Sequence, residues 1–259
     1  MNKVFREKVF NPKAFIAFLT AGDPTPQTTV QFVLEMEKAG ADLIEIGIPF
    51  SDPVAEGPVI QAADLRALSG GMTTDKVFEI VEEIRKVSQV PLVFMTYLNP
   101  VFYYVYEKFF ARCQQLSVSG IIIPDAPYEE HFEISEVADK YGVDVISMLA
   151  PTSENRIKTI AKDAQGFIYL VSSMGVTGVR SEIKTDLKSI VAAAREVTDT
   201  PIAVGFGIST PQQARDMAAV SDGAIVGSAI VRLIAQYGEG AAPYIYDYVK
   251  SMKEGVLRA

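Results

Sequence analysis

Histidine occurs once and cysteine once in this chain of 259 residues. With His131 alone, neither a Ser-His-Asp triad nor a histidine-rich metal site can be assembled. Acid–base work must fall to carboxylates, lysine, tyrosine or water. His131 sits in a helix-opening pattern, "PYEEHFEISEVADKYG", where a surface or half-buried helix position is expected. A lone Cys113 excludes an internal disulfide, and no histidine stands near it in sequence to activate a thiol; it is read as a small buried apolar residue. Apolar runs of membrane-spanning length are also missing. The opening "MNKVFREKVFNPKAFIAFLT" lacks a clean apolar core followed by a cleavage site, so no secretion signal is read and a cytoplasmic protein is expected. Basic charge is in short supply: 24 Lys and Arg against 32 Asp and Glu leave a net charge of −8. That balance argues against nucleic-acid and anionic-membrane partners, which are held through basic footprints. A small phosphorylated substrate stays open, because backbone amides can bind phosphate without net positive charge.

Short β-rich apolar runs alternate with longer amphipathic ones. Strands are expected at "AFIAFL" from Ala14, "LIEIG" from Leu43, "PLVFMTY" from Pro91 and "GIIIP" from Gly120. Four more follow at "DVISML" from Asp144, "FIYLVS" from Phe167, "PIAVGFG" from Pro201 and "GAIVG" from Gly223. Helical patterns lie between them, with Thr74 or Asp75 expected to cap one, and Gly40 and Gly142 expected just past the ends of others. Runs apolar on both faces indicate a parallel sheet covered by helices. Eight such units in this length favour a closed (β/α)8 barrel, one α/β domain over residues 1–259 with extra N-terminal and C-terminal helices. An open doubly wound sheet would call for a dinucleotide fingerprint, and "GFG" at Gly205 lacks the rest of that pattern.

Barrel enzymes place their chemistry at the C-terminal strand ends. Glu45 interrupts the apolar run "LIEIG" there, on the same face as Leu43 and Gly47. Facing into the barrel among apolar neighbours, its carboxyl would be pushed up toward neutral pH; the bland alternative is a buried structural acid paired with Arg or Lys. The loop beyond, "PFSDPVAEGP", is stiffened by Pro49, Pro53 and Pro58 and carries Glu56, a candidate second proton-handling group. Asp52, in the same loop, fits an Asx turn or a cap as well as chemistry. Glycine-bearing stretches recur at three successive strand ends, "SSMGVTGVRS", "GFGIST" and "GSAIV", the last with Ser228 opening a short helix. Glycines let amides approach phosphate oxygens and a helix N-terminus adds partial positive charge. Two carboxylates facing a phosphate cradle, without metal cluster, nucleophilic dyad or strand-end lysine, point to proton transfer on a small phosphorylated metabolite: isomerisation or aldol-type carbon–carbon cleavage.

"LIEIGIPFSDPVAEG" resembles the signature of the tryptophan synthase alpha chain family. "AFLTAGDP", "YLNPVF", "IIPDAPYEE", "GVTG" and "VGFGIS" are similar to that family in the same order, across essentially the whole chain. The resemblance implies a lyase that cleaves indole-3-glycerol phosphate to indole and glyceraldehyde 3-phosphate. By the same resemblance, Glu45 exchanges protons at indole C3 and the glycerol hydroxyl, and Glu56 takes the indole N–H proton. Phe18, Tyr97, Ile122 and Phe206 would line the indole pocket, with Tyr169 close to Glu45. Thr177 would engage Glu56 when its loop closes, and Gly178, Gly207, Gly227 and Ser228 would hold the phosphate. The implied partner is a beta chain carrying pyridoxal phosphate, in an α2β2 complex; this chain itself is expected to bind no cofactor and no metal. The loops after strands two and six, and the aromatic run "NPVFYYVYEKFF", are the candidate contact surfaces, although the Phe109–Phe110 half also reads as core.

The chain departs from the family pattern in two places. Many members carry Asp where this chain has Glu56, and one extra methylene moves a carboxylate outward unless the loop adjusts. Ser173 and Met174 stand where some relatives have an Arg-containing sequence. Two rival functions stay open from the sequence: a barrel lyase or isomerase acting on another sugar phosphate, and a non-catalytic barrel that activates a beta chain.

Overall fold

The computed structural model describes residues 4–172 and 186–259. Its eight strands are β1 (Ala14–Thr20), β2 (Leu43–Gly47), β3 (Leu92–Met95), β4 (Val118–Ile122), β5 (Asp144–Leu149), β6 (Gln165–Val171), β7 (Ile202–Gly205) and β8 (Gly223–Val226). They pair in parallel and in sequence order, and β8 returns to β1 to close the barrel. Each expected strand forms, and so does the (β/α)8 architecture.

Period two divides every strand between two cores. Ile44 and Ile46 of β2 point outward and pack under the helices, together with Ile121, Val145, Leu170 and Val204. Leu43 points inward with Phe18, Val93, Met95, Ile122, Tyr169 and Ile225. Glu45 shares that inward face, in register with Phe18 on one side and Val93 on the other. Its strand is fully buried, so the pleat alone delivers a carboxylate to the barrel interior.

Helix starts follow local chemistry. Thr25 and Thr28 form a reciprocal capping box before Pro26, and Thr210 and Gln213 do the same before Pro211. One expected cap is corrected: Thr73, not Thr74 or Asp75, begins the helix Thr74–Arg85. The extended backbone at Thr73 lets its hydroxyl accept the Lys76 amide at 3.3 Å, which leaves Thr74 inside the first turn. Gly40 and Gly142 stand past helix ends as expected, with φ of +101° and +67°.

The extra C-terminal helix, Ala242–Leu257, packs against Pro26–Lys38 and Pro211–Val220. At the N-terminal side, Phe5–Val9 is a short π-helical turn whose Phe5 ring lies 5.6 Å from Phe167, filling the lower end of the barrel. The aromatic run divides. Phe109 and Phe110 are buried, Phe109 against Phe78 and Phe94 and Phe110 edge-on to Phe109, whereas Phe102, Tyr103 and Val105 are exposed. Cys113 is buried, which pushes its thiol well up and leaves it unreactive. Among the described residues no helix is long and apolar enough to cross a membrane.

Candidate active site

At the C-terminal end of the barrel a cavity holds about 510 Å³ of empty space, its solvent mouth included. Its walls are Phe18, Glu45, Glu56, Ile60, Met95, Tyr169, Phe206, Gly207, Ile208, Ile225, Gly227 and Ser228. Two carboxyl groups and the three described phosphate candidates therefore face one space. Two further candidates stand back from it. Ile122 packs in the interior barrel cluster, and Tyr97 lies behind Glu56. Thr177 and Gly178 fall outside the described residues.

Glu45 is 1 % exposed, and its Oε1 has no hydrogen-bond partner. No ion pair reaches it among the described residues, so the bland alternative of a paired structural acid is not what this strand builds. Burial alone pushes its carboxyl up to about 8. Tyr169 stands beside it, its hydroxyl raised first by burial and then by the Glu45 charge. The site is cut to fit these rings. A Cβ on Gly205 would lie 2.4 Å from the Tyr169 hydroxyl oxygen, and one on Gly47 would lie 2.7 Å from the tip of Phe18.

Glu56 is turned inward in spite of its extra methylene, at 7 % exposure. The loop that carries it is pinned: the Ala55 amide donates to the Tyr97 hydroxyl at 3.0 Å, and Gln61 Nε2 donates to the Glu56 carbonyl at 2.7 Å. Burial raises the Glu56 carboxyl, while hydrogen bonds with Asp64 and Tyr97 act in the opposite direction. Its Oε2 has no partner. Asp64, which the sequence reading passed over, is pushed up to about 9, by burial first and then by the Glu56 charge. Asp52 is exposed, accepts a hydrogen bond from Ser51 and does not line the cavity.

Opposite the carboxyls lie the glycine-bearing strand ends. Gly207 follows β7 with φ of +79°, and Gly227 and Ser228 begin the helix Ser228–Tyr237. Free amides at such a helix start, with its partial positive charge, suit a phosphate dianion. Between Gly205 and Gly207, Phe206 holds a φ of +74°, a left-handed conformation that costs an aromatic residue about 1–3 kcal/mol. Its carbonyl is held by the Ser172 hydroxyl at 2.6 Å, and its ring meets Tyr169 edge-on at 5.9 Å. Backbone strain of this kind aims a ring into the cavity.

A second, wider cavity opens beside Phe206, with about 1560 Å³ of empty space including its mouth. His131 lines it, half-buried at the start of a helix as expected, with its pKa lowered by burial. Its Arg156 is taken up by Glu129 in a two-pronged ion pair. Among its described lining residues it presents no pair of carboxyl groups, unlike the first cavity. Among the described residues no cluster of His, Cys, Asp and Glu could hold a metal ion.

The family model described as the tryptophan synthase alpha chain matches residues 5–256. The chain belongs to the tryptophan synthase alpha chain family. The alpha chain of Lacticaseibacillus casei is 53% identical over 95% of this chain and 92% of its own length. That of Lactiplantibacillus plantarum is 51% identical, over 95% and 93%. Among solved structures, the alpha subunit of Legionella pneumophila str. Paris matches with a TM-score of 0.88 and 34% identity, covering 100% of both chains. A chain of the tryptophan synthase α2β2 complex of Pyrococcus furiosus matches with a TM-score of 0.85 and 34% identity, over 93% of this chain and 98% of that one. The reaction of the family is the alpha reaction, retro-aldol cleavage of indole-3-glycerol phosphate in tryptophan biosynthesis, and this chain is a lyase of that type.

The sequence missed Asp64, Ile60, Met95, Ile208 and Ile225. A signal was available for the first two: in "GPVIQAADLRALSG", Ile60, Ala63, Asp64 and Ala67 recur at helical spacing, which places the acid on the buried face. For the others, only the closed barrel brings the side chains to one place.

Proposed function

We propose that Glu45 is the acid and base of the alpha reaction in this chain and that Glu56 takes the indole N–H proton. One observation carries the assignment: a buried, unpartnered Glu45 oxygen faces the same cavity as Glu56. Indole is a poor leaving carbon until C3 is protonated. Protonation needs an acid that is still neutral near neutral pH, and burial holds Glu45 there. The proton passes from Glu45 to C3, while Glu56 takes the N–H proton as the ring tautomerises. The Glu45 carboxylate then removes the proton of the glycerol hydroxyl. The oxygen lone pair forms the aldehyde carbonyl, the carbon–carbon bond breaks, and its electrons return to the ring, whose nitrogen recovers its proton from Glu56. Each positioned group of this kind contributes about 10²–10⁴-fold.

Phe18, Tyr97, Ile122 and Phe206 are assigned to the indole pocket, with Tyr169 beside Glu45. Gly207, Gly227 and Ser228, joined by Gly178 in the family pattern, are assigned to the phosphate. Residues 1–259 act as one catalytic domain in the cytoplasm, with a pyridoxal-phosphate-bearing beta chain as partner in an α2β2 complex. The exposed apolar side chains of Val54, Phe102, Tyr103 and Val105 support such a partner, because all follow strand ends on the cavity side.

Indole release from indole-3-glycerol phosphate, with and without a beta chain, tests the assignment in wild type and Glu45→Gln. The substitution keeps size and removes proton exchange. Cleavage is expected to fall by at least about 10²-fold while a phosphate ligand still binds. Undiminished cleavage would make Glu45 a buried structural acid.

A further inference from the structure

Asp64 is a buried acid in the site to which the reaction as derived gives no task. It stands on the helix Pro58–Ser69, 4 % exposed and behind the cavity wall. Five groups face it or its partner. Its carboxyl is hydrogen-bonded with that of Glu56, the Thr20 hydroxyl from β1 donates to its Oδ1 at 3.4 Å, the Phe50 backbone amide donates to it from the loop after β2, Tyr97 reaches Glu56 from the loop after β3, and Glu45 lies in the same cavity as Glu56. Among the described residues no cation pairs with these carboxyls: Arg66, two residues on, is committed to Asp23 through a fork of 2.8 and 2.7 Å. Two buried carboxyls that share a hydrogen bond need a proton between them, since both cannot ionise at contact distance. Glu56 carries one more rotatable bond than an aspartate, and the loop contacts of Ala55 and Gln61 fix only its backbone. Its carboxyl is held separately, by hydrogen bonds with Asp64 and Tyr97. The free Oε2 of Glu56 remains for a ligand.

We propose that Asp64 is a positioning residue for the alpha reaction: as the neutral acid it donates a hydrogen bond to the Glu56 carboxylate and holds it with Oε2 open to the substrate N–H. The proposal rests on the assignment of Glu56 as the proton acceptor. The proton stays on Asp64 throughout, so no bond is made or broken there.

Steady-state cleavage of indole-3-glycerol phosphate across pH, in wild type, Asp64→Ala, Asp64→Asn and Glu56→Gln, is the test, with circular dichroism as a check that each variant is folded. Asp64→Ala removes a hydrogen bond to a charged group, and kcat is expected to drop about 10- to 100-fold with KM little changed. Asp64→Asn keeps an N–H donor and is expected to recover kcat to within about fivefold of wild type. Wild type is expected to fall first near pH 8, as Glu45 ionises, and more steeply above about pH 9, as Asp64 ionises; Asp64→Asn is expected to keep the first fall and lose the second, so that its alkaline limb is shallower. A purely packing role would move neither the limb nor the contrast between Asn and Ala. Wild-type kcat in Asp64→Ala, an Asn variant as impaired as Ala, or an alkaline limb unchanged in Asp64→Asn would each overturn the proposal. Normal turnover by Glu56→Gln would instead show that the Glu56 assignment had failed; a dead Glu56→Gln beside a fully active Asp64→Ala would sink the Asp64 proposal alone.

Discussion

Glu45 should leave a mark on stability as well as on catalysis. Burial raises its carboxyl from 4.5 to about 8, so the folded chain keeps a proton that the unfolded chain has already lost over that interval. Unfolding there releases a proton, and rising pH favours the unfolded chain. The stability contribution of neutral Glu45 is complete below pH 4.5, declines as pH rises to about 8, and is constant above. At ~1.4 kcal/mol per pH unit, the decline from about pH 5 to about pH 7.5 amounts to about 3 kcal/mol. A burden of that size is a large fraction of the roughly 5–15 kcal/mol that holds a domain folded.

Glu45→Gln removes the titration and keeps the shape. Its buried amide adds a pH-independent loss of about 1–3 kcal/mol, so the difference in slope is the measurement, not the stability at one pH. Urea unfolding, followed by circular dichroism or by tyrosine fluorescence in a chain without tryptophan, gives that slope. Asp64, Glu56 and Asp42 are also raised by burial and bend both curves alike. Wild type is expected to lose about 3 kcal/mol more than the variant between those two pH values. Parallel curves would mean that Glu45 ionises in the folded chain at its ordinary pH, and a general acid at position 45 would then be untenable.

Two further substitutions probe the other walls of the cavity. Ser228→Asp places a carboxylate at the first turn of its helix, where the macrodipole favours it and stability should hold within about 0.5–1 kcal/mol; in the phosphate cradle the same charge should raise KM for the substrate at least about tenfold, as initial-rate kinetics will show. Gly205→Ala sets a methyl 2.4–2.6 Å from three atoms of the Tyr169 phenol, which must then shift from its place beside Glu45 toward the cavity it lines. An overpacking loss of about 1–3 kcal/mol in thermal or urea unfolding, together with reduced kcat, is expected; wild-type values for both would show that Tyr169 is free to move.

Much of the fold was legible because β-branched runs such as "AFIAFL" and "GAIVG" are apolar on both faces, which only a covered parallel sheet explains. Glu45 was legible for the same reason: a carboxylate inside such a run has no solvent-facing alternative. The glycines gained meaning from recurring at successive strand ends. Adjacent threonines at 73 and 74 offered the same hydroxyl to one helix start, and only the backbone angles at Thr73 decide between them. Phe206 gave no warning of its left-handed φ, since glycines on both sides could have absorbed the turn. The helical spacing of Ile60, Ala63, Asp64 and Ala67 puts Asp64 on an inward face but does not say which carboxyl it meets there. Its burial depends on β1, which is far from it in sequence, and on how the preceding loop folds back over the helix.

Glu45 and Glu56 are the same side chain, buried to nearly the same degree in one cavity, yet the chain surrounds them differently. At Glu45, whose Oε1 has no partner, burial is the cause that acts among the described residues, and the neutral acid persists to about pH 8. Glu56 has Asp64 and the Tyr97 hydroxyl as hydrogen-bond partners, and both oppose the effect of burial. The first environment favours the neutral acid, and the second supplies hydrogen-bond partners that favour the ionised form against burial. A reaction that protonates one atom of an indole ring while relieving another of its proton needs those two states side by side at one pH. Separation of the two roles therefore resides in the donors around each carboxyl, which is why a residue such as Asp64 can matter to the chemistry without touching the substrate.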